Sequence, residues 1–423
     1  MRNLIKHLLL ITFFQFILIG SLFANVFVVS RSTANIRELP TTASSIIQQA
    51  HENDWFIYLG NSNDSKWRSV ELPDGTTGWI YYTLGRIQEN YQPPIDTSTT
   101  FEIDKLEVHI INVEQGDCTL IIAIGNNGEK AALLFDAGKP GKGDKYVVPY
   151  LKSIGISQLK YIVSSHHDGD HLGGLDEVLN YTPDTDDFKI SLTGNAYQPA
   201  GDPKSSQRAQ YDQYAYAASA QNGQEILTLN PPEFLNLSKG LTLQVVAGGG
   251  LYIDNETGNI IDLEPSDANA KSIGLLLTFN KFKFFVGGDL GGISKQKKIE
   301  NKVAPYIGDI DVLRANHHGA NTSTHDPFIK IVKPEVVLIS CGKNNFGHPR
   351  QKVIDRLKAE NSNVQIYQTA EGDLVNRYKH LATADGLVSG NIVIKTEGDC
   401  TYTVTGSGSE FHETNTFTND DCL

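Results

Sequence analysis

The chain is 423 residues long, enough for two or three domains. With 40% hydrophobic and 20% charged residues it is excluded from the disordered class. A net charge of −13 argues against a generally basic nucleic-acid-binding surface, because such binding depends on Lys and Arg neutralising phosphates. It remains compatible with a site where metal ions supply the positive charge.

Arg2 and Lys6 precede an almost wholly apolar run from Leu8 to Gly20, and Ser21-Leu22-Phe23-Ala24 places a small residue before Asn25. Residues 1–24 therefore read as an export signal whose cleavage leaves a secreted or periplasmic, envelope-located protein. The alternative is an uncleaved anchor, because the run approaches spanning length. No later stretch is long and apolar enough to span a membrane, so no stable span is expected after signal removal. Export permits disulfides. Cys118 and Cys341 sit in strand-like apolar runs as buried small residues. Cys400 and Cys422 flank a polar tail, residues 406–423, that they could staple; sequence does not fix the pairing.

Residues 25–88 read as short strands. Val26 to Val29, Ala34 to Arg37, Trp55 to Gly60, Lys66 to Val70 and Thr77 to Ile80 are separated by turns such as Pro73-Asp74-Gly75. Short β-runs at close spacing predict a small all-β barrel. The Asn35-Ile36-Arg37 opening, the strand carrying Trp67 and the closing Gly78-Trp79-Ile80 resemble the bacterial SH3 domain. The resemblance implies a non-catalytic module with a cell-wall ligand. A Pro- and Thr-rich linker, residues 89–104, follows.

From 105 to 405, apolar strands alternate with helices, predicted at Tyr146 to Ile154, from Leu175, at Gln207 to Ala220 and at Gln351 to Ala359, which indicates a layered α/β domain. The polar stretch from Tyr181 to about Lys239, with Tyr197, Tyr211, Tyr214 and Tyr216, reads either as a surface insertion or as an aromatic wall of a substrate cleft.

The chemistry gathers at strand ends. Leu159 to Val163 runs into Ser164-Ser165-His166-His167-Asp168-Gly169-Asp170-His171, a loop dense in imidazole and carboxylate groups, ligand types suited to zinc, manganese or iron. His166 and Asp168 can reach one ion, Asp170 and His171 a second. Asp136, Asp289, His317-His318 and His348 each close or follow another apolar strand. Groups collected from the ends of several strands define one site.

The motifs Asn112-Val113-Glu114-Gln115-Gly116-Asp117, Phe135-Asp136-Ala137-Gly138, the His166-to-His171 loop, Gly288-Asp289, His317-His318-Gly319 and Gly347-His348-Pro349 resemble, in order, the metallo-β-lactamase superfamily and its ComEC-like branch. The resemblance implies an αββα sandwich. It also implies one or two divalent ions, Zn²⁺ or Mn²⁺. His166 and Asp168 would hold the first, Asp170, His171 and His318, or His317 in its place, the second, and Asp289 would bridge them. Asp136 would orient the ligand loop. Asp170, His317 and His348 would serve catalysis: Asp170 as proton acceptor, the histidines toward the phosphate and the charged product. Two departures stand out. The superfamily usually supplies a further metal histidine, and none lies between His171 and His317; Asn112 and Glu114 replace the aspartate and glycine typical of the branch. The implied activity is metal-dependent hydrolysis of a phosphodiester, in nucleic acid or an envelope component. The alternative is an envelope-binding protein with a degenerate, non-catalytic metal site.

Overall fold

The computed structural model describes residues 24–29, 31, 33–50, 55–72, 76–91, 101–182, 187–372 and 386–419. The expected export signal up to residue 23, most of the expected linker, His380 and Cys422 lie outside them. The chain divides into two compact units, 1–99 and 100–423.

The first unit is all β. Its seven antiparallel strands are ordered Ile46–Ala50, Ala34–Arg37, Thr77–Tyr81, Trp67–Glu71, Trp55–Asn61, Ala24–Val29 and Gly85–Tyr91. Alternation puts Phe27, Val29, Ile36, Phe56, Val70 and Ile80 into one small core. Trp67 is buried and meets the Tyr81 ring edge-on at 5.2 Å between centroids.

The second unit is an αββα sandwich. One nine-stranded sheet runs Leu227–Thr228, Ser191–Gln198, Gln158–Val163, Lys130–Phe135, Thr119–Gly125, Ile103–Ile110, Ile392–Thr396, Thr401–Gly406 and Thr414–Thr418. The other runs Ile260–Asp262, Leu251–Ile253, Leu241–Gly248, Gly274–Phe279, Phe282–Val286, Val312–Arg314, Val336–Ile339, Gln365–Gln368 and Leu387–Val388. The inner faces meet in a single core that includes Phe135, Val163, Phe284, Val286, Val312 and Leu338. Helices Val148–Ser153, Leu175–Asn180 and Arg208–Asn222 cover the outer face of the first sheet. Ile299–Ile307, Asp326–Val332 and Gln351–Glu360 cover that of the second. Strands buried on both faces explain the unbroken apolar run Val336 to Ile339 and the run Leu159 to Val163, interrupted only by the buried Lys160.

Each sheet contains a parallel block. Lys130–Phe135, Gln158–Val163 and Ser191–Gln198 run together in the first, and Phe282–Val286, Val312–Arg314, Val336–Ile339 and Gln365–Gln368 in the second. Their C-terminal ends carry the motif loops, as the sequence reading requires.

Two expectations need correction. The stretch after residue 405 is not a loose polar tail. Thr414–Thr418 pairs antiparallel with Thr401–Gly406, and Phe411 is buried in the inter-sheet core. An edge strand with Thr and Asn on an exposed face has no apolar alternation to betray it. The tyrosines of the insertion do not form one wall. Tyr197 and Tyr214 are core residues, Tyr216 is exposed, and Tyr211 lies against His167, 5.5 Å between centroids. Cys118 and Cys341 are free and buried, and Cys400 is disulfide-bonded.

Candidate metal centre

The His166-to-His171 loop is fastened from below by backbone bonds. Asp117 N donates to Asp170 O (3.0 Å), Ala137 N to His171 O (2.8 Å) and Gly174 N to Gly138 O (3.1 Å). The two other motif loops thus form its bed. Asp136 ends its strand at φ +62°, a left-handed conformation that Asp tolerates better than most side chains. Its Oδ1 accepts from Ser165 N (2.7 Å), and its Oδ2 accepts from Ser165 Oγ (2.7 Å) and His171 Nδ1 (2.8 Å). A carboxylate in that position fixes the His171 tautomer and leaves Nε2 as the lone-pair donor.

The second sheet supplies the facing half. A Cβ on Gly288 would stand 2.8 Å from Ser165 Cβ and Oγ, so only glycine lets the two loops approach this closely. Asp289 follows. His317 and His318 both sit in the left-handed region, at φ +53° and +52°, with His317 N donating to Gly288 O (3.0 Å). Two consecutive strained histidines imply a geometry imposed by the surroundings. His318 Nδ1 donates to Ser340 O (3.0 Å), which again aims Nε2 inward.

These elements converge on the Asp289 carboxylate. Its Oδ1 lies 3.2 Å from His171 Nε2 and 3.8 Å from His318 Nε2. Its Oδ2 lies 3.4 Å from His317 Nε2 and 3.8 Å from His166 Nε2. Asp170 Oδ2 is 3.6 Å from His318 Nε2, and Asp168 Oδ2 is 3.6 Å from His166 Nε2. Donor atoms of His166, His171 and Asp289 lie within 4.8 Å of one another, as do those of Asp170, His171 and His318. Nε2 of His166, His171 and His318 and Oδ1 of Asp289 are buried with no hydrogen-bond partner. Orphaned polar atoms at one point are costly unless a further group satisfies them. Imidazole and carboxylate donors fit a divalent transition metal.

The clustered groups shift one another's ionisation. Burial alone would raise Asp289, but the facing His317, His171 and His318 hold its carboxyl well below the usual range. Burial likewise opposes ionisation of Asp170, and the neighbouring His318 and His171 imidazoles outweigh it. Burial would depress His171, but Asp289 and Asp136 hold its pKa well above the ordinary value. His348, 5.4 Å from the His317 ring, is pushed down to about 3 by burial and by the neighbouring histidines.

Comparison with known proteins bears on this geometry. Residues 111–230 match the family described as the metallo-beta-lactamase superfamily, and residues 30–84 match the bacterial SH3 domain. The chain is 26% identical over 293 residues to ComE operon protein 3 of Bacillus subtilis, covering 65% of this chain and 33% of that protein. It is 30% identical over 233 residues to competence protein ComA of Neisseria gonorrhoeae, covering 54% and 26%. The match thus takes in a third or less of the length of these relatives. The second unit thus carries a sequence match to the metallo-β-lactamase superfamily over residues 111–230. Among solved structures, it is similar to Tm1679, a metal-dependent hydrolase of the β-lactamase superfamily, at 16% identity and a TM-score of 0.35, covering 60% of this chain and 93% of that one.

Within this metallo-β-lactamase-like domain, all the candidate ligands read from the motifs, together with Asp136, His317 and His348, come to one end of the sandwich. The two members of the His-His pair divide: His318 faces Asp170 and Asp289 Oδ1, while His317 faces Asp289 Oδ2. Sequence reading missed Ser165, Ser340 and Gln207, whose Nε2 donates to Asp168 Oδ1. It also missed the fully buried Arg314–Asp117 ion pair, in which Arg314 additionally donates to Gly288 O (2.8 Å). Only Ser165 carried a local signal, its place beside the ligand loop. Glu114, standing where the branch has glycine, adopts φ +62°, and its carboxylate pairs with Lys142 at 2.5 Å. His109 bonds to Tyr150 Oη (2.8 Å) and Glu107 Oε2 (3.1 Å), away from the centre.

Proposed function

We propose that this protein is an exported, metal-dependent phosphodiesterase of the ComEC-like branch, carried to the cell envelope by its SH3 module. The supporting observation is the convergence of three orphaned imidazole nitrogens on the Asp289 carboxylate, with each Nδ1 held from behind. Asp170, His171 and His318 would hold one ion, His166 and Asp168 the other, and Asp289 would serve both through its two oxygens. Zn²⁺ or Mn²⁺ suits this donor set.

When bound, such ions supply Lewis acidity toward a phosphoryl oxygen and make water a stronger acid. The chain's own residues do the rest. Asp136 and Ser340 keep His171 and His318 in one tautomer and orientation. Asp170 stays ionised at the rim and can take a proton by hydrogen bonding. His317 faces the open side, where it can donate to a phosphate oxygen. His348, held neutral by burial, acts as a hydrogen-bonding imidazole and not as a cation toward charged product.

The absence of a histidine between His171 and His317 motivates a second reading, an envelope-binding protein with a degenerate centre. Purified protein supplied with Mn²⁺ or Zn²⁺ is expected to hydrolyse bis-p-nitrophenyl phosphate. A folded protein inactive with every divalent ion, holding less than one metal per chain whether or not Asp289 is present, favours the second reading instead.

A further inference from the structure

Beside the centre lies an open pocket of about 70 Å³ whose wall includes His166, His167, Lys204, Gln207 and Lys271. His166 is shared with the metal centre, so a group in the pocket sits next to the reaction site. Neither Lys204 nor Lys271 has a carboxylate partner among the described residues. The one acid in the wall, Asp202, is almost fully exposed and faces Arg208 at 3.9 Å. In a chain of net charge −13, two unpaired ammonium groups at an otherwise acidic site are an anion-binding arrangement.

The wall is built, not incidental. Gly201, at φ +103°, holds a backbone conformation that favours glycine and brings this turn beside the Lys271 side chain. Gln207 ties the pocket to the centre by donating to Asp168 Oδ1. His167 Nε2 donates to Gln198 Oε1 (3.1 Å), which keeps that ring from swinging across the opening.

We infer that this pocket binds a second phosphate of the substrate, one linkage from the scissile diester, and so selects chains of repeated phosphodiesters over isolated ones. The inference rests on the phosphodiesterase reading for its purpose, while the binding itself does not require turnover. The ligand chemistry is a phosphate group, whether its source is a nucleotide chain or a polyol-phosphate chain.

The test is equilibrium binding to the full chain in chelator, where no turnover occurs. The probes are a thymidine dinucleotide with and without a terminal phosphate, and a glycerol-phosphate dimer with and without one. The added phosphate is expected to tighten binding about tenfold in at least one series. Lys204→Gln, at an exposed position, and Lys271→Gln, at a half-buried one, should each reduce that ratio toward one. The series that responds identifies the source. A ratio near one in both series, or a ratio unchanged by both variants, overturns the inference. Hydrolysis of bis-p-nitrophenyl phosphate by the unmodified protein judges the phosphodiesterase reading separately.

Discussion

The two sides of the candidate centre are made differently. On one side, Asp170, His171 and His318 come from loops of both sheets, and the two imidazoles are fully buried and backed by Asp136 and Ser340. On the other, His166 is equally buried, but its partner Asp168 is 29% exposed and has one oxygen occupied by Gln207 at the start of the insertion helix. No third histidine closes that side; His317 reaches the same Asp289 oxygen while remaining 22% exposed. Ligands oriented by buried partners bind metal more tightly than ligands left open to solvent. On the proposed reading, one half-site is backed by buried partners and the other is more open, beside the pocket inferred to take a phosphate.

Removing the shared ligand should abolish the contrast. Asp289→Ala is expected to lower kcat/KM on the order of 10³-fold, with both ions lost by elemental analysis and an unchanged far-ultraviolet circular dichroism spectrum. Single changes on each side should then separate the halves. His318→Ala should remove the tighter binding step in calorimetric titration with Zn²⁺, whereas Asp168→Ala should remove the weaker step and leave the tighter intact. Equal losses would mean the halves are equivalent.

Changes behind the ligands should act less strongly. Asp136→Asn weakens the acceptor for His171 Nδ1, and about 10- to 100-fold weaker metal binding is expected, confined to the tighter step. Gln207→Ala frees Asp168, and a loss of about tenfold or less is expected in the weaker step alone.

The smallest effect serves as a control outside the centre. The His109 hydrogen bond, reinforced by Lys395, holds the Glu107 carboxyl down to about 2 against an ordinary 4.5. A depressed carboxylate contributes stability above its unfolded pKa and loses it as pH falls through the folded value. Thermal unfolding should therefore show a loss between about pH 4.5 and 2 that Glu107→Gln flattens. Metal binding should not change.

Much of this architecture is legible in the chain. Apolar runs buried on both faces announce the parallel strands, and the ligand residues follow those runs directly, so strand ends and site coincide in sequence as in space. The partners that orient the ligands are less visible. Ser340 acts through a backbone carbonyl, which no residue type records. Gln207 and Arg314 reach their partners across long sequence separations, and a lone Gln or Arg has many uses. Lys271 gains meaning only when folding removes carboxylates from its neighbourhood. The final strand, Thr414–Thr418, escapes notice because an edge strand need not alternate.

The most direct test is a titration of chelator-stripped protein with Mn²⁺ or Zn²⁺, following heat and bis-p-nitrophenyl phosphate hydrolysis together. The account predicts two binding steps of unequal affinity, with hydrolysis rising as the weaker step fills. Two equal steps, or no hydrolysis at any occupancy, would contradict it.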